Sequence, residues 1–228
     1  MNRNPILAAI DTPELSRASA LIAALDGVVA GVKLGLEFFC AHGPAGIRQA
    51  AAGRANLFLD LKLHDIPNTV AGALRAALAL DPLFVTFHAG GGPGMLRAAV
   101  EARGNARTKL LGVTVLTSLD DDDLAATGQA GPVAAQVRRL ALLAKASGLD
   151  GIVCSPQEVA MIREACGEDF LLVVPGIRPA GTALGDQKRV QTPRAAIEAG
   201  ADYLVIGRPI TEAADPAAAA RAILAELP

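Results

Sequence analysis

The sequence predicts an α/β fold, a single (β/α)8 barrel (TIM barrel) of eight parallel strands ringed by outer helices and spanning residues 1–228. Three observations carry that expectation. Apolar runs of strand length alternate with longer helical patterns, and this order implies parallel pairing with helical crossovers. Eight such units share 228 residues, roughly 28 each, as a closed barrel requires. Polar residues recur where the strands end, the rim at which barrels of this kind place their working groups. An open doubly wound sheet is the alternative, but no Gly-x-Gly-x-x-Gly follows the first strand. The length suits one well-buried domain and is short for two.

In order, Ile6–Asp11 is an apolar strand closed by an acid, and Glu14–Leu25 is helical. Gly31–Gly35 is the second strand, carrying Lys33, and Pro44–Ala52 is a helix opened by a proline. A third strand begins at Leu57, and Pro67 starts the helix Pro67–Ala79, where its missing N–H costs nothing. Leu83–Ala89 is the fourth strand, containing His88, with a helix over Pro93–Arg103. Lys109–Leu116 is the fifth strand, followed by Thr117 and a long helix, Pro132–Ser147. Gly151–Ser155 and the helix Pro156–Ala165 come next, then the strand Phe170–Pro175, with Arg178 just beyond it. The helix Pro193–Ala199, the strand Tyr203–Gly207 with Arg208 after it, and the amphipathic helix Asp215–Leu227 complete the chain.

Composition narrows the function classes. Hydrophobic residues make up 52% and the formal net charge is −2, with no Trp and one Tyr, so there is neither basic tract nor aromatic platform for nucleic acid. Charges such as Arg75 and Arg97 interrupt the apolar runs, so no membrane span is expected, and no signal-type segment precedes the first strand. Cys40, Cys154 and Cys166 are odd in number and lack metal-like spacing, which fits reduced thiols in the cytoplasm.

The stretch Leu57 to Val70 organises the rest. Residues two apart in a strand share a face, so Asp60 and Lys62 project together while Leu61 and Leu63 take the other face. Taken singly these charges are ordinary: an exposed ion pair of little worth, and Asp65 as a helix cap. Together they are not, because two charges on the inward face of a core strand are costly unless a polar site receives them. After the last strand, Ile206-Gly207-Arg208-Pro209 offers close backbone approach and a guanidinium fork, as an anion such as phosphate needs. The long segment 176–190, with Gly176, Arg178, Gly181, Gly185 and Gln187, has the composition of a phosphate-side lid.

Asp60-x-Lys62-x-x-Asp65-Ile66-Pro67-x-Thr69 resembles the signature of the orotidine 5'-phosphate decarboxylase family, and the resemblance extends over essentially the whole chain. It implies decarboxylation of orotidine 5'-phosphate to uridine 5'-phosphate, the last step of de novo UMP synthesis, without metal, flavin or pyridoxal cofactor. It implies a charge array of Lys33, Asp60, Lys62 and Asp65, with Lys62 protonating C6 of the pyrimidine. It also implies that Asp11 meets the ribose, Thr117 the pyrimidine edge, and Arg178, Gln187, Gly207 and Arg208 the phosphate side. Asp65 and Thr69 would act in the neighbouring subunit's site, making the working unit a homodimer. Asp-x-Lys-x-x-Asp alone is shared with a sister group, the Mg²⁺-dependent 3-keto-gulonate 6-phosphate decarboxylases and hexulose-phosphate synthases. The Pro67-x-Thr69 continuation and Gln187 argue against that reading. A non-catalytic nucleotide-binding barrel and a phosphosugar isomerase are weaker rivals.

Other polar residues stay unpromoted. His42, His64 and His88 lack ligand spacing and are read as structural support. Asp120–Asp123 is read as a solvated loop and helix start.

Overall fold

The computed structural model describes residues 4–51, 53, 56–129, 131–179 and 191–228. The strands are β1 (Ile6–Ile10), β2 (Gly31–Gly35), β3 (Leu57–Leu63), β4 (Phe84–His88), β5 (Lys109–Val113), β6 (Gly151–Val153), β7 (Leu171–Val174) and β8 (Tyr203–Ile206). Each pairs in parallel with the next, and β8 closes onto β1. The helices between them are α1 (Leu15–Leu25), α2 (Leu36–Ala51), α3 (Pro67–Leu78), α4 (Gly92–Arg103), α5 (Asp121–Ala126), α6 (Val133–Ala146), α7 (Val159–Cys166), α8 (Pro193–Glu198), α9 (Arg208–Thr211) and α10 (Pro216–Ala225). The expected closed (β/α)8 barrel is the fold. No helix among the described residues is long and apolar enough to cross a membrane.

The pleat sorts the core into two layers. Ile6, Ala8 and Ile10 of β1 face outward to the helices, whereas Leu7 and Ala9 face the barrel interior. Inside, Phe58, Phe84 and Tyr203 form a buried aromatic floor, with Phe84 edge-on to both neighbours at centroid distances of 5.6 and 5.2 Å. Above this floor the inward positions turn polar: Lys33 on β2, Asp60 and Lys62 on β3, Thr86 and His88 on β4. The apolar base excludes water below and leaves the charges at the C-terminal rim. Leu61 packs into the outer layer, as the strand alternation predicts.

The structure departs from the sequence reading in local ways. The helix after β2 begins at Leu36 rather than Pro44, because two segments join across a kink at Gly43, whose φ of 58° a glycine tolerates. Pro44 opens the second segment, which is why it read as a start. The fifth strand ends at Val113, three residues earlier than expected. A short helix, α9, which the sequence reading did not assign, follows β8 after Gly207. The acidic run does start a helix: Asp120 caps α5 in a reciprocal box with Asp123.

One irregularity sits at the site. Leu59 pairs with Val85 and Leu63 with Phe87, so Asp60, Leu61 and Lys62 of β3 face Thr86 alone on β4. This bulge puts Lys62 at a φ of 49°, a left-handed conformation that costs a side-chain-bearing residue roughly 1–2 kcal/mol.

Candidate active site

The bulge carries Asp60 and Lys62 into a cavity of about 640 Å³ at the C-terminal end of the barrel. Neighbouring strands supply the rest of its charges. Lys33, nearly buried, extends from β2 and its Nζ lies 3.0 Å from Asp11 and 3.6 Å from Asp60. Lys62 Nζ reaches both Asp60 carboxylate oxygens at 2.9 Å. The result is a row of alternating sign, Asp11, Lys33, Asp60, Lys62, drawn from three consecutive strands. Burial pushes the Asp60 carboxyl up, but the Lys33 and Lys62 ammonium groups, with hydrogen bonds from Lys62 and Thr86, outweigh it and hold the group below the usual carboxylate range. Asp60 is therefore an anion at neutral pH, and fixed ammonium groups meet any negative charge that develops beside it.

The rest of the cavity wall follows the strand ends. Thr117 and Ser118 line it after β5, Arg178 after β7, and Gly207 and Arg208 after β8. Arg178 is almost buried, its Nη1 donating to the Ile177 carbonyl at 2.9 Å, while its backbone bonds across to Gln191. Arg208 opens α9 with Gly207 as the preceding cap residue. The Arg178 and Arg208 guanidinium groups and the alternating charge row thus line one cavity, with Glu212 also in its wall.

A family model described as "Orotidine 5'-phosphate decarboxylase / HUMPS family" matches residues 4–223. The chain belongs to this family. It is 54% identical to the orotidine 5'-phosphate decarboxylase of Rhodospirillum rubrum, over all of this chain and 95% of that one. Identity to the enzyme of the same name from Novosphingobium aromaticivorans is 56%, covering 98% of this chain and 99% of the relative. The crystal structure of orotidine 5'-phosphate decarboxylase from Lactobacillus acidophilus superposes with a TM-score of 0.86 at 41% identity, covering 97% of each chain.

Within this decarboxylase-family barrel, Asp11, Lys33, Asp60, Lys62, Thr117, Arg178, Gly207 and Arg208 gather around one cavity. Asp65 is exposed just before α3, and Thr69 is exposed in its first turn. Asp65 accepts the Ile66 amide at 2.6 Å, and α3 begins without a side-chain cap, so the helix-cap alternative for Asp65 is not what the structure shows. Pro67 does occupy the first turn of α3. Gln187 and most of the expected lid lie outside the described residues.

Sequence reasoning passed over Thr86. Fully buried on β4, its hydroxyl accepts the Lys62 amide at 2.9 Å and donates to Asp60 at 3.0 Å. Nothing local in the run Phe84-Val85-Thr86-Phe87 marks it, because its partners come from β3. The histidines make local contacts. His42 meets the Pro13 carbonyl at 2.6 Å, and the His64 and His88 rings lie 5.4 Å apart beside the charge row. Burial, then His64 and Lys62, lower the His88 pKa, with Asp60 opposing. No three His, Cys, Asp or Glu side chains among the described residues converge as metal ligands.

A second hollow of about 530 Å³ opens at the opposite end of the barrel, under Phe84 and Tyr203. Its strongest charges are already engaged: Asp150 accepts from Arg103, from Lys109 at 2.9 Å and from the Leu110 amide at 2.9 Å. It lies below the aromatic floor, remote from the charge row, and its ion pairs tie strand starts together.

Proposed function

We propose that this chain decarboxylates orotidine 5'-phosphate to uridine 5'-phosphate. The observation that carries the reading is the alternating row Asp11, Lys33, Asp60, Lys62 at the rim, with Arg178 and Arg208 lining the same cavity. The names of the relatives at 54–56% identity support it, and none of those reported carries the sister-group activity.

In this reading the phosphate binds towards Gly207 and Arg208, with the segment 176–190 closing over it and Gln187 joining from there. Asp11 and Lys33 hold the ribose hydroxyls, and Thr117 faces the pyrimidine edge. The bond between C6 and the carboxylate carbon breaks, CO₂ departs past Asp60, and the electron pair stays on C6. Lys62 Nζ stabilises that charge and then gives C6 a proton, leaving uridine 5'-phosphate. Phosphate contacts remote from C6 contribute by drawing the substrate against the charge row.

Two chains share each site in this reading. Asp65 and Thr69 are exposed in the isolated protomer, and Ile66 between them is 67% exposed, the most exposed of the large apolar side chains among the described residues. A second copy seated there covers Ile66 and brings Asp65 and Thr69 to the partner's cavity.

Loss of orotidine 5'-phosphate absorbance tests the activity. Lys62→Ala is expected to abolish turnover while the far-UV circular dichroism stays native, and a variant turning over at near-normal rate removes the proton-donor role. Mixing Asp60→Ala with Asp65→Ala chains under subunit exchange is expected to restore part of the activity. No regain refutes the shared site.

A further inference from the structure

We infer that Thr86 is a positioning residue that sets the aim of Lys62. The inference rests on the function proposed above and extends it to a side chain that never touches the ligand, since Thr86 has no exposed surface and does not line the cavity.

The bulge creates the need. Three residues of β3 oppose Thr86 alone, so the Lys62 amide is carried out of the regular ladder. Lys62 combines a left-handed backbone with an Nζ held 2.9 Å from Asp60, and such a conformation persists only where its surroundings over-determine it. The Thr86 hydroxyl supplies that constraint. A hydroxyl has one proton and two lone pairs, so it can accept the Lys62 N–H and donate to Asp60 Oδ1 at once. One atom thereby fixes both the backbone of the proton donor and the carboxylate that holds its ammonium group. Lys62 Nζ spans both Asp60 oxygens, so a rotation of that carboxylate moves the ammonium with it.

Thr86→Val keeps the shape and removes both bonds, whereas Thr86→Ser keeps the hydroxyl. The full-length chain is assayed with orotidine 5'-phosphate, alongside uridine 5'-phosphate affinity and thermal melting. Loss of two hydrogen bonds, one to a charged group, is expected to lower kcat about ten- to a hundredfold in Thr86→Val. KM and uridine 5'-phosphate affinity, set mainly by the remote phosphate and ribose contacts, are expected to stay within about threefold, and Thr86→Ser to recover most of kcat. The acid limb of the kcat profile is expected to move to higher pH in Thr86→Val, because Asp60 loses a donor to its ionised form. The other groups facing Asp60 are unchanged by the substitution: Lys33 from β2 with Asp11 behind it, Lys62 on β3, and His88 on β4 with His64 against it.

A Thr86→Val kcat within twofold of wild type overturns the assignment. So does a Thr86→Ser variant as impaired as Thr86→Val, or a fall in kcat matched by equal falls in uridine 5'-phosphate affinity and melting temperature. A wild-type chain with no activity on orotidine 5'-phosphate overturns the proposed function and this role with it. An active wild type with an indifferent Thr86→Val overturns the positioning role alone.

Discussion

Replacing Asp60 by Asn tests the charge row through folding stability, independently of any substrate. Asp60 Oδ2 lies 2.9 Å from Lys62 Nζ and 3.6 Å from Lys33 Nζ. At an effective dielectric constant of about 20, each contact is worth roughly 5 kcal/mol before solvation is counted. Desolvation of the carboxylate offsets most of this, and truncating one member of a buried pair costs about 3–5 kcal/mol. The Lys62 side chain is 27% exposed, which places the expected loss near the lower end, about 3 kcal/mol at pH 7. The pH dependence fixes the sign. The folded-state Asp60 pKa is depressed, so its contribution is fully present above the unfolded value of about 3.9 and is lost as pH falls through the folded one. Asn does not titrate, so the gap between wild type and variant should hold from pH 7 to about 4 and shrink below that. Urea unfolding followed by far-UV circular dichroism is the suitable assay, since the chain has no Trp. An Asp60→Asn protein as stable as wild type at pH 7, or a gap unchanged at the lowest pH where both fold, would refute the reasoning.

Asp150→Asn, at the opposite end of the barrel, removes the charge and one of the two acceptor oxygens that Arg103, Lys109 and the Leu110 amide share, and is expected to cost about 2–4 kcal/mol in urea unfolding while leaving kcat unchanged at 25 °C. Arg208→Ala, at an exposed residue of the cavity wall proposed to meet the phosphate, is expected to raise KM for orotidine 5'-phosphate about tenfold or more, with a melting temperature within a degree or two of wild type. Gly151→Ala is expected to destabilise by about 2 kcal/mol or more, because its Cβ would lie 2.3 Å from the Leu171 carbonyl oxygen where β6 meets β7; a thermal melt reads this directly.

Much of this protein was legible from sequence because the relevant signals are local. Apolar runs alternating with helical patterns specify parallel strands, and strand periodicity placed Asp60 and Lys62 on one face, where the structure joins them at 2.9 Å. Pro67 marked a helix start correctly. Pro44 marked one too, at the segment that follows the Gly43 kink, whereas the helical segment before the kink, from Leu36, went unread. Gln187 stands in a segment outside the described residues, so its role stays with the proposal.

The amino-acid order by itself determined the barrel, the residue types at its rim and the pairing of Asp60 with Lys62, since each depends on neighbours a few positions apart. Only the tertiary structure decided that Lys33 bridges Asp11 and Asp60, that β3 bulges at Lys62, and that Thr86 fastens that bulge. Lys33 bonds to a residue 22 positions away and Thr86 to one 26 away. Their meeting is set by the register between strands, which barrel closure and packing over Phe58, Phe84 and Tyr203 impose on the chain as a whole.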